Sequence, residues 1–537
     1  MALLSRRDVL RLAATLGLLP LGGASAGCGN VAAADGLPDY QYDGEPGPAT
    51  LFAHAVASGD PLADAVILWT RLSPVAAGAI PVFWEVANDA GFTDRVAAGW
   101  TGTDIGLDYT VKIDATGLAG GRTYYYRFQA LGRISPIGRT RTAPRDHVER
   151  MRVGVVSCSS YSNGYFHAYR RLAERSDLDL VIHLGDYIYE YGTGGERAHD
   201  PPHEIVTLAD YRRRYAQYRS DPDLQAAHIQ HPWVLVWDDH ETANNAWHGG
   251  AENHQESEGA WADRRATAAQ AYSEWLPIRD QDDGRIFRSL RFGNLLDLTM
   301  LDTRLWGRDL PAARSTQVNV IRDPGRTLLG FDQEEWLADQ VRASDARWFV
   351  LGQQIVMTQW KLEGLPNSQG GGRIANTDQW DGYHATRERL FDALEEAGRD
   401  NLIVLTGDVH SSWASDLCRD PNDPAHYDQG TGAGSLGVEM VAPGVTSNFP
   451  AVGIEVVFLS QNPALKYGET ASRGYLLLDL DHERAQGEWY HFADVWDPAA
   501  TERTGAVWAT RSGANHLVAQ TEVSLPPAGA PGPVPAA

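Results

Sequence analysis

Asp186 and Tyr189 are the first pair of side chains in the sequence whose types and spacing suggest a shared chemical role. They follow an apolar run with β-branched members, residues 178–184, which predicts a buried strand ended by Gly185. Open α/β sheets place their active sites at the carboxyl ends of the strands. A carboxylate can bridge two cations and a phenolate can donate to one of them, so this strand end predicts metal chemistry. Taken singly, Asp186 also fits a helix cap and Tyr189 a packed aromatic residue.

Four further apolar runs close on groups that can bind metal. They are residues 152–157 followed by Cys158, residues 233–237 followed by Asp238, Asp239, His240 and Glu241, residues 348–353 ending in Gln353 and Gln354, and residues 401–406 followed by Asp408 and His410. Several charges at one strand end repel each other unless cations or partners neutralise them. Each group alone also fits an inert cysteine, a cap or a polar core residue. Five such ends on one sheet edge predict a site for two or three metal ions.

The elements that must position these residues are those of an α/β domain. After about residue 150, apolar strands alternate with helical stretches. The predicted strands are residues 152–157, 179–184, 233–237, 295–301, 348–353, 401–406 and 437–441, with a hairpin of 475–480 and 487–492; the predicted helices are 166–175, 208–219, 258–275, 334–343 and 385–397. Before them, residues 52–141 contain short strands separated by Gly, Asp and Pro, which predict a small all-β sandwich.

Composition limits the classes of protein that the chain can represent. Its 537 residues exceed one ordinary domain, and its formal net charge of −24 argues against a non-specific nucleic-acid binder, because the phosphate backbone would be repelled. Three cysteines are too few for a disulfide framework. A Cys158–Cys418 disulfide is open on count alone, but the place of Cys158 after a strand favours a metal ligand.

The N-terminus is typical of an export signal. Arg6 and Arg7 precede a short apolar run, residues 12–21, and an Ala-Ser-Ala ending at Ala26. This pattern predicts a twin-arginine (Tat) signal peptide recognised by the Tat translocase, with cleavage after Ala26 and a secreted, periplasmic or cell-surface product. Lipid attachment at Cys28 is the alternative. The apolar run is too short to span a membrane, and no transmembrane anchor is predicted elsewhere.

The motifs taken together resemble those of the alkaline phosphatase D (PhoD) family, within the calcineurin-like metallophosphoesterase superfamily. The superfamily resemblance rests on Gly-Asp-x-x-Tyr at 185–189, Asp-His-Glu at 239–241 and Gly-Asp-x-His at 407–410. Cys158 and the stretches 55–61 and 67–71 make the chain similar to the PhoD family in particular. The resemblance covers residues 52–492.

The resemblance implies a fold and a domain order. The expected fold is α/β, a four-layer sandwich of two mixed sheets flanked by helices, preceded by the small all-β sandwich. The expected segments are a signal peptide (1–26), a linker (27–48), the N-terminal β-domain (49–143), the catalytic domain (150–515) and a disordered Pro- and Ala-rich tail (520–537).

The resemblance also implies an activity and a division of roles. The expected enzyme is a hydrolase of phosphomonoesters, phosphodiesters or both, acting by metal-activated hydroxide attack. The roles that it implies are a ferric ion held by Cys158, Asp186, Tyr189 and His410, a calcium ion held by Asp239 and Asp408 with Asp186 as bridge, and catalytic contacts from His240 and Asn245. The donor types agree, because carboxylate oxygen suits Ca²⁺.

Two alternatives to this interpretation stay open in the sequence. One is phospholipase D-type cleavage, although no basic amphipathic stretch is present to hold an anionic membrane. The other is a surface-binding module without catalysis, in which Ca²⁺ would only stabilise the fold.

Overall fold

The computed structural model describes residues 36–528 and 532–534. The predicted signal peptide and Cys28 lie outside the described residues. No helix in the described part of the chain is long and apolar enough to cross a membrane.

Strands and helices follow the predicted order closely. The first eight strands are β1 Val56–Gly59, β2 Ala65–Arg71, β3 Ile80–Ala87, β4 Arg95–Thr103, β5 Thr110–Thr116, β6 Thr123–Ala130, β7 Arg133–Ile134 and β8 Gly138–Arg141. They are followed by β9 Arg150–Val156, β10 Leu180–His183, β11 Pro232–Leu235, β12 Arg288–Phe292, β13 Leu296–Met300, β14 Trp348–Gln353, β15 Lys361–Gly364, β16 Gly372–Ile374, β17 Leu402–Thr406, β18 Ser412–Leu417, β19 Gly437–Val441, β20 Leu465–Glu469, β21 Arg473–Asp481, β22 Arg484–Phe492, β23 Glu502–Arg511 and β24 Val518–Ala519.

The helices also lie where the sequence predicts them, with ends shifted by a few residues, and the described residues contain three more. They are α1 His167–Glu174, α2 Leu208–Arg219, α3 Pro222–Gln230, α4 Trp261–Trp275, α5 Val318–Ile321, α6 Phe331–Ala343, α7 His384–Glu396 and α8 Glu455–Gln461. Helix α2 begins with a capping box in which the Thr207 and Asp210 side chains each accept the other's backbone N–H.

Two large sheets face each other across the main core. The ten-stranded sheet has the order β24-β23-β22-β21-β9-β10-β11-β1-β2-β5, and the seven-stranded sheet has the order β12-β13-β14-β17-β19-β18-β20. Alternation along β14 shows the layering, because Trp348 and Val350 join the core between the sheets while Phe349 and Leu351 pack with α6 and α7. Helices α1–α4 contribute to the core on the ten-stranded sheet. The four-layer α/β prediction is confirmed.

The N-terminal β-region is divided between two sheets. Strands β3, β4, β6, β7 and β8 form a five-stranded sheet, whereas β1, β2 and β5 complete one end of the ten-stranded sheet. Strand β1 pairs in parallel with β11, with Ser58 opposite Pro232. Val66, Val82 and Phe128 belong to the core between the two layers. The region is an all-β sandwich, and one of its layers continues into the α/β sheet.

The described part of the C-terminal tail makes defined contacts with the body of the protein. The backbone N–H of Ser524 donates to Glu488 Oε1 at 2.6 Å, and the Arg152 guanidinium donates to the Ser524 carbonyl at 3.3 Å. Farther along, the Val534 N–H donates to Gln230 Oε1 at 3.1 Å.

Buried neutral histidines make the fold sensitive to acid. Burial lowers the pKa of His183 and of His231 to about 3. The His231 Nε2–H donates to the Leu172 carbonyl at 2.8 Å, while its buried Nδ1 has no hydrogen-bond partner among the described residues. A proton on Nδ1 would therefore bring a charge into the core, where the cost of burial outweighs the help of nearby carbonyl groups.

We expect the metal-loaded protein to lose stability as the pH falls. The folded-state pKa lies below the unfolded value, so the unfolded chain binds more protons. Each neutral histidine therefore makes its full contribution to the free energy of unfolding above about pH 6.5. As the pH falls from there toward about 3, that contribution is lost at up to about 1.4 kcal/mol per pH unit for each histidine. Urea unfolding between pH 7 and 4 checks this, with His231→Gln as the control. A His231→Gln variant with the same pH slope as the wild type would contradict it.

Candidate metal centre

The predicted ligands lie where strand ends from both large sheets meet. Neighbouring strands β9, β10 and β11 precede Cys158, Asp186 and Asp239, and β17 of the facing sheet precedes Asp408 and His410. The prediction of a single sheet edge is therefore wrong in one respect, because the site is shared between two sheets. The strand ends alone cannot show this, since sheet membership depends on long-range pairing.

Five of the eight predicted site residues have a left-handed backbone conformation. Their φ angles are 59° at Cys158, 57° at Asp186, 53° at Asn245, 61° at Asp408 and 54° at His410. This conformation is costly for residues with a side chain, by about 1–3 kcal/mol at a strained position, and such residues cluster at functional sites. Hydrogen bonds support the strained segments: the Cys158 N–H donates to the Gly185 carbonyl at 3.1 Å.

Cys158, Asp186, Tyr189 and His410 form the first donor group. The ligand atoms of Cys158, Asp186 and His410 all lie within 4.8 Å of one another. The Tyr189 hydroxyl donates to Asp186 Oδ2 at 2.8 Å and lies 3.2 Å from His410 Nε2. Asp186 Oδ1 is buried without a hydrogen-bond partner among the described residues. An unpaired buried carboxylate oxygen beside a thiol, a phenol and an imidazole fits a metal cation.

The surroundings of the first donor group orient its members. His410 Nδ1 lies 3.0 Å from the Asn448 carbonyl, which can only accept, so Nδ1 carries the proton and Nε2 has a free lone pair. The Ser447 hydroxyl donates to the Tyr189 hydroxyl at 2.6 Å. Both supporting residues lie in the segment after β19.

Burial controls protonation of the softer donors. Burial, followed by the nearby Asp186 carboxylate, raises the pKa of Cys158 well above its ordinary value. The same two causes raise the pKa of Tyr189 well above its ordinary value. Both side chains are therefore neutral unless a cation stabilises the thiolate and phenolate. Cys158 and Cys418 are both free thiols, so the disulfide that their number allows is not formed.

Asp238, Asp239 and Asp408 form the second donor group, with ligand atoms within 4.8 Å of one another. Burial raises the pKa of Asp408 to about 6. Burial favours a higher pKa for Asp239, but the Arg304 guanidinium and the His240 ring outweigh burial and lower the pKa to about 2. Asp186, Asp239 and His240 likewise meet within 4.8 Å, so Asp186 and Asp239 connect the two donor groups.

Arg304 is a residue of the site that the sequence reasoning missed. Its side chain is fully buried and hydrogen-bonds to Asp238 and Asp408. It follows β13 in the sequence Asp302-Thr303-Arg304. The sequence contains a signal for Arg304, because residues 295–301 are predicted as a strand and polar residues follow it, as they follow the other five strands.

Glu190 is a second missed residue, and it holds His240. His240 Nδ1 lies 2.6 Å from Glu190 Oε2, so the imidazole N–H donates to the carboxylate. Glu190 also accepts from the Asn244 N–H at 2.7 Å and from Asn253 Nδ2 at 3.0 Å. The His240 ring packs on Tyr189 with centroids 4.3 Å apart. Burial lowers the pKa of His240, but nearby carboxylates, Glu190 first, raise it well above its ordinary value.

Asn245 lies beside the second donor group rather than at its centre. Its backbone N–H donates to Asp239 Oδ2 at 2.6 Å, and its side-chain amide donates to Glu252. Its amide oxygen is therefore the atom available to a ligand.

The fourth predicted strand end carries Gln353 and Gln354, whose side-chain amides form hydrogen bonds to the ends of other strands. The Gln354 amide donates to the Trp237 carbonyl at 2.7 Å and to the Leu301 carbonyl at 2.9 Å, and its oxygen accepts from Thr303. The Gln353 amide donates to Thr406 Oγ1 at 2.6 Å. These amides hold the ends of neighbouring strands in place.

Comparison with known proteins gives one consistent result. Residues 153–489 match the family model described as PhoD-like phosphatase, and residues 41–144 match its N-terminal domain. Alkaline phosphatase D of Bacillus subtilis (strain 168) is 39% identical in an alignment of 482 residues that covers 85% of this chain and 80% of the relative. A solved structure titled "Structure of PhoD" superposes with a TM-score of 0.81 at 36% identity, covering 91% of this chain and 94% of that one.

Proposed function

Because the chain belongs to the PhoD-like phosphatase family, and is therefore a phosphoric ester hydrolase, we propose that it cleaves phosphomonoesters and phosphodiesters at a two-metal centre built around Asp186. One observation carries this proposal. Asp186 is shared by two clusters of ligand atoms, one with Cys158 and His410 and one with Asp239 and His240. A carboxylate placed between two donor clusters is the arrangement that a bridging ligand requires.

The donor types support unlike cations in the two positions. Thiol, phenol and imidazole beside Asp186 favour Fe³⁺ in the first donor group, whereas the second donor group supplies only carboxylate oxygen and favours Ca²⁺. Asp239 and Asp408 are the proposed calcium ligands, as the resemblance implies. Asp238 pairs with Arg304 through Oδ1, as Asp408 does, and its Oδ2 is buried without a hydrogen-bond partner among the described residues.

The cations, when bound, would supply Lewis acidity toward the phosphoryl group and lower the pKa of water that attacks it. The protein's own contribution begins with His240. Glu190 fixes its Nδ1–H, so Nε2 is the nitrogen that can donate to a phosphoryl oxygen or to the leaving alcohol. The Asn245 amide N–H donates to Glu252, and its amide oxygen would contact the second cation or the phosphoryl group.

Phospholipase D-type cleavage is the second candidate, and one surface feature favours it. The segment that supplies the Asn448 carbonyl to His410 continues into Val452, Val456 and Val457, which are 63%, 70% and 44% exposed. Exposed apolar residues on the chain segment that follows Asn448 suit a phosphodiester with an apolar alcohol. The non-catalytic binding module is ruled out, because the family is one of phosphatases.

Export through the Tat translocase, with cleavage after Ala26, completes the proposal and rests on the paired arginines of the N-terminus. A protein carried across the membrane in a folded state can keep a metal centre assembled before transport.

The test is elemental analysis of protein purified after native export, combined with assays on p-nitrophenyl phosphate, bis-p-nitrophenyl phosphate and phosphatidylcholine. We expect about one iron per chain, calcium that a chelator removes, and ester hydrolysis that falls with calcium and returns on its addition. Full activity in protein free of both metals would contradict the two-metal centre. Preference for phosphatidylcholine over both p-nitrophenyl esters would select the second candidate.

A further inference from the structure

The guanidinium of Arg304 uses all three of its nitrogens on carboxylates. Nε donates to Asp238 Oδ1, Nη1 donates to Asp378 Oδ2 at 2.7 Å, and Nη2 donates to Asp408 Oδ1. The fourth carboxylate, Asp239, has Oδ1 3.7 Å from Nη2. The side chain is completely buried, and its charge is therefore poorly screened by water.

These contacts join four separate stretches of chain. Asp238 follows β11 of the ten-stranded sheet, Asp408 follows β17 of the seven-stranded sheet, and Asp378 lies between β16 and α7. Arg304 itself follows β13 of the seven-stranded sheet. One planar side chain therefore sets the distance between strand ends of the two facing sheets at the second donor group.

In the described part of the chain, Asp378 forms no hydrogen bond or ion pair with the proposed ligands of either donor group, and a second arginine holds it in place. Arg308 Nη2 donates to Asp378 Oδ1 at 2.5 Å and to the Asp378 carbonyl at 2.7 Å. The Arg308 side chain is also fully buried, and its Nε donates to the Tyr383 hydroxyl at 3.1 Å. Negative and positive side chains thus alternate along a row, and this row fixes the position of the Arg304 guanidinium. Its members are Asp238, Arg304, Asp378 and Arg308.

Asp408 is oriented from two sides by this arrangement. Its Oδ1 accepts from Arg304, and its Oδ2 accepts from Gln379 Nε2 at 2.8 Å. Gln379 is adjacent to Asp378, so the same loop fixes both the arginine and the amide. A carboxylate held at both oxygens keeps one direction for its remaining lone pairs, which is what a metal ligand needs.

Within the described residues, no arginine or lysine pairs with a carboxylate of the first donor group. Its carboxylate is Asp186, and the nearest histidine nitrogen in such a contact, His410 Nε2, lies 3.6 Å from Asp186 Oδ2. Among the described residues, the ion pairs of the Arg304 side chain are with the carboxylates of the second donor group and with Asp378. The two donor groups therefore differ in charge as well as in donor type.

We infer that Arg304 is a positioning residue for the second cation: it holds Asp408 and the neighbouring carboxylates in the geometry that binds Ca²⁺, without taking part in the iron site. This inference rests on the proposed two-metal function. The planar guanidinium with its three nitrogens is required for this role, because a lysine would keep the positive charge but could not donate in three fixed directions.

Calcium titration of iron-loaded enzyme by isothermal calorimetry tests the inference, with visible absorption and iron content measured on the same samples. We expect Arg304→Lys to weaken calcium binding by about 10- to 100-fold, the range for residues that orient metal ligands, while the iron content and absorption stay unchanged. Asp378→Asn should weaken it less and in the same direction, since Arg304 then keeps two of its three partners.

Arg152→Lys is the matched control, since Arg152 is also buried but lies on β9 at the end opposite Cys158. It should leave calcium affinity unchanged. Wild-type calcium affinity in both Arg304→Lys and Asp378→Asn would overturn the inference, as would loss of iron together with calcium in Arg304→Lys. A wild-type enzyme that binds iron but no calcium would instead overturn the proposed metal assignment on which the inference rests.

Discussion

Asp186→Asn is expected to lower kcat/KM for p-nitrophenyl phosphate by roughly 10³-fold or more and to lower the content of both metals together. The substitution keeps the size of the side chain but removes the charge that neutralises two cations. Metal ions contribute several kcal/mol of charge stabilisation in the transition state, and about 4 kcal/mol corresponds to 10³-fold in rate. The unpaired Oδ1 would become an amide group or a neutral oxygen with no cation to hold.

The control for this variant lies at the other end of the same strand. Asp179 immediately precedes β10 and accepts the Arg152 N–H at 2.9 Å, far along the strand from Asp186. Asp179→Asn should leave iron and calcium content unchanged, with any loss of activity following a loss of folded protein. An Asp186→Asn enzyme with full activity and both metals would exclude the bridging role.

Tyr189→Phe is expected to remove the phenolate-to-iron band from the visible absorption of the iron-loaded protein. A phenolate bound to Fe³⁺ would give a charge-transfer band and a purple-brown colour, and phenylalanine removes only the hydroxyl that makes it. The ring should keep its packing on His240, which has a centroid separation of 4.3 Å. Iron should remain bound through Cys158, Asp186 and His410, so that the phenolate band is lost while the thiolate absorption and most of the metal stay.

Two variants place limits on this expectation. Tyr187→Phe changes a buried tyrosine of the same segment whose hydroxyl lies 3.0 Å from His228 Nε2, and it should not alter the band. Cys158→Ser should shift the band rather than remove it, because the phenolate stays in place. A Tyr189→Phe protein with the wild-type spectrum would return Tyr189 to the role of a packed aromatic residue.

The strands that carry the site could be predicted because their signal is local. An apolar run that closes on charged residues, as residues 402–406 close on Asp408 and His410, needs no knowledge of its neighbours. The α/β order follows from the same runs, since buried parallel strands are nearly continuous in apolar residues.

Pairing between distant segments could not be predicted in the same way. Arg304 meets Asp408 across 104 residues, and nothing near either residue specifies the other. Likewise the place of Ser58 beside Pro232 is decided by the shape of the finished sheet. Glu190 is a different case, because it is adjacent to the predicted site residue Tyr189. Only its pairing with the distant His240 could not be predicted.

The pairing of β1 with β11 has a consequence for how the chain assembles. Without residues 56–116, β11 would be an edge strand, and its unpaired N–H and C=O groups would lie beside the large apolar side chain of Trp233. Exposed edges of this kind pair with other chains and promote aggregation. Strand β1 is made first but has no parallel neighbour until β11 is synthesised some 170 residues later. The pairing of β10 with β11 therefore leaves an open edge on β11 until the earlier segment that carries β1 packs against it.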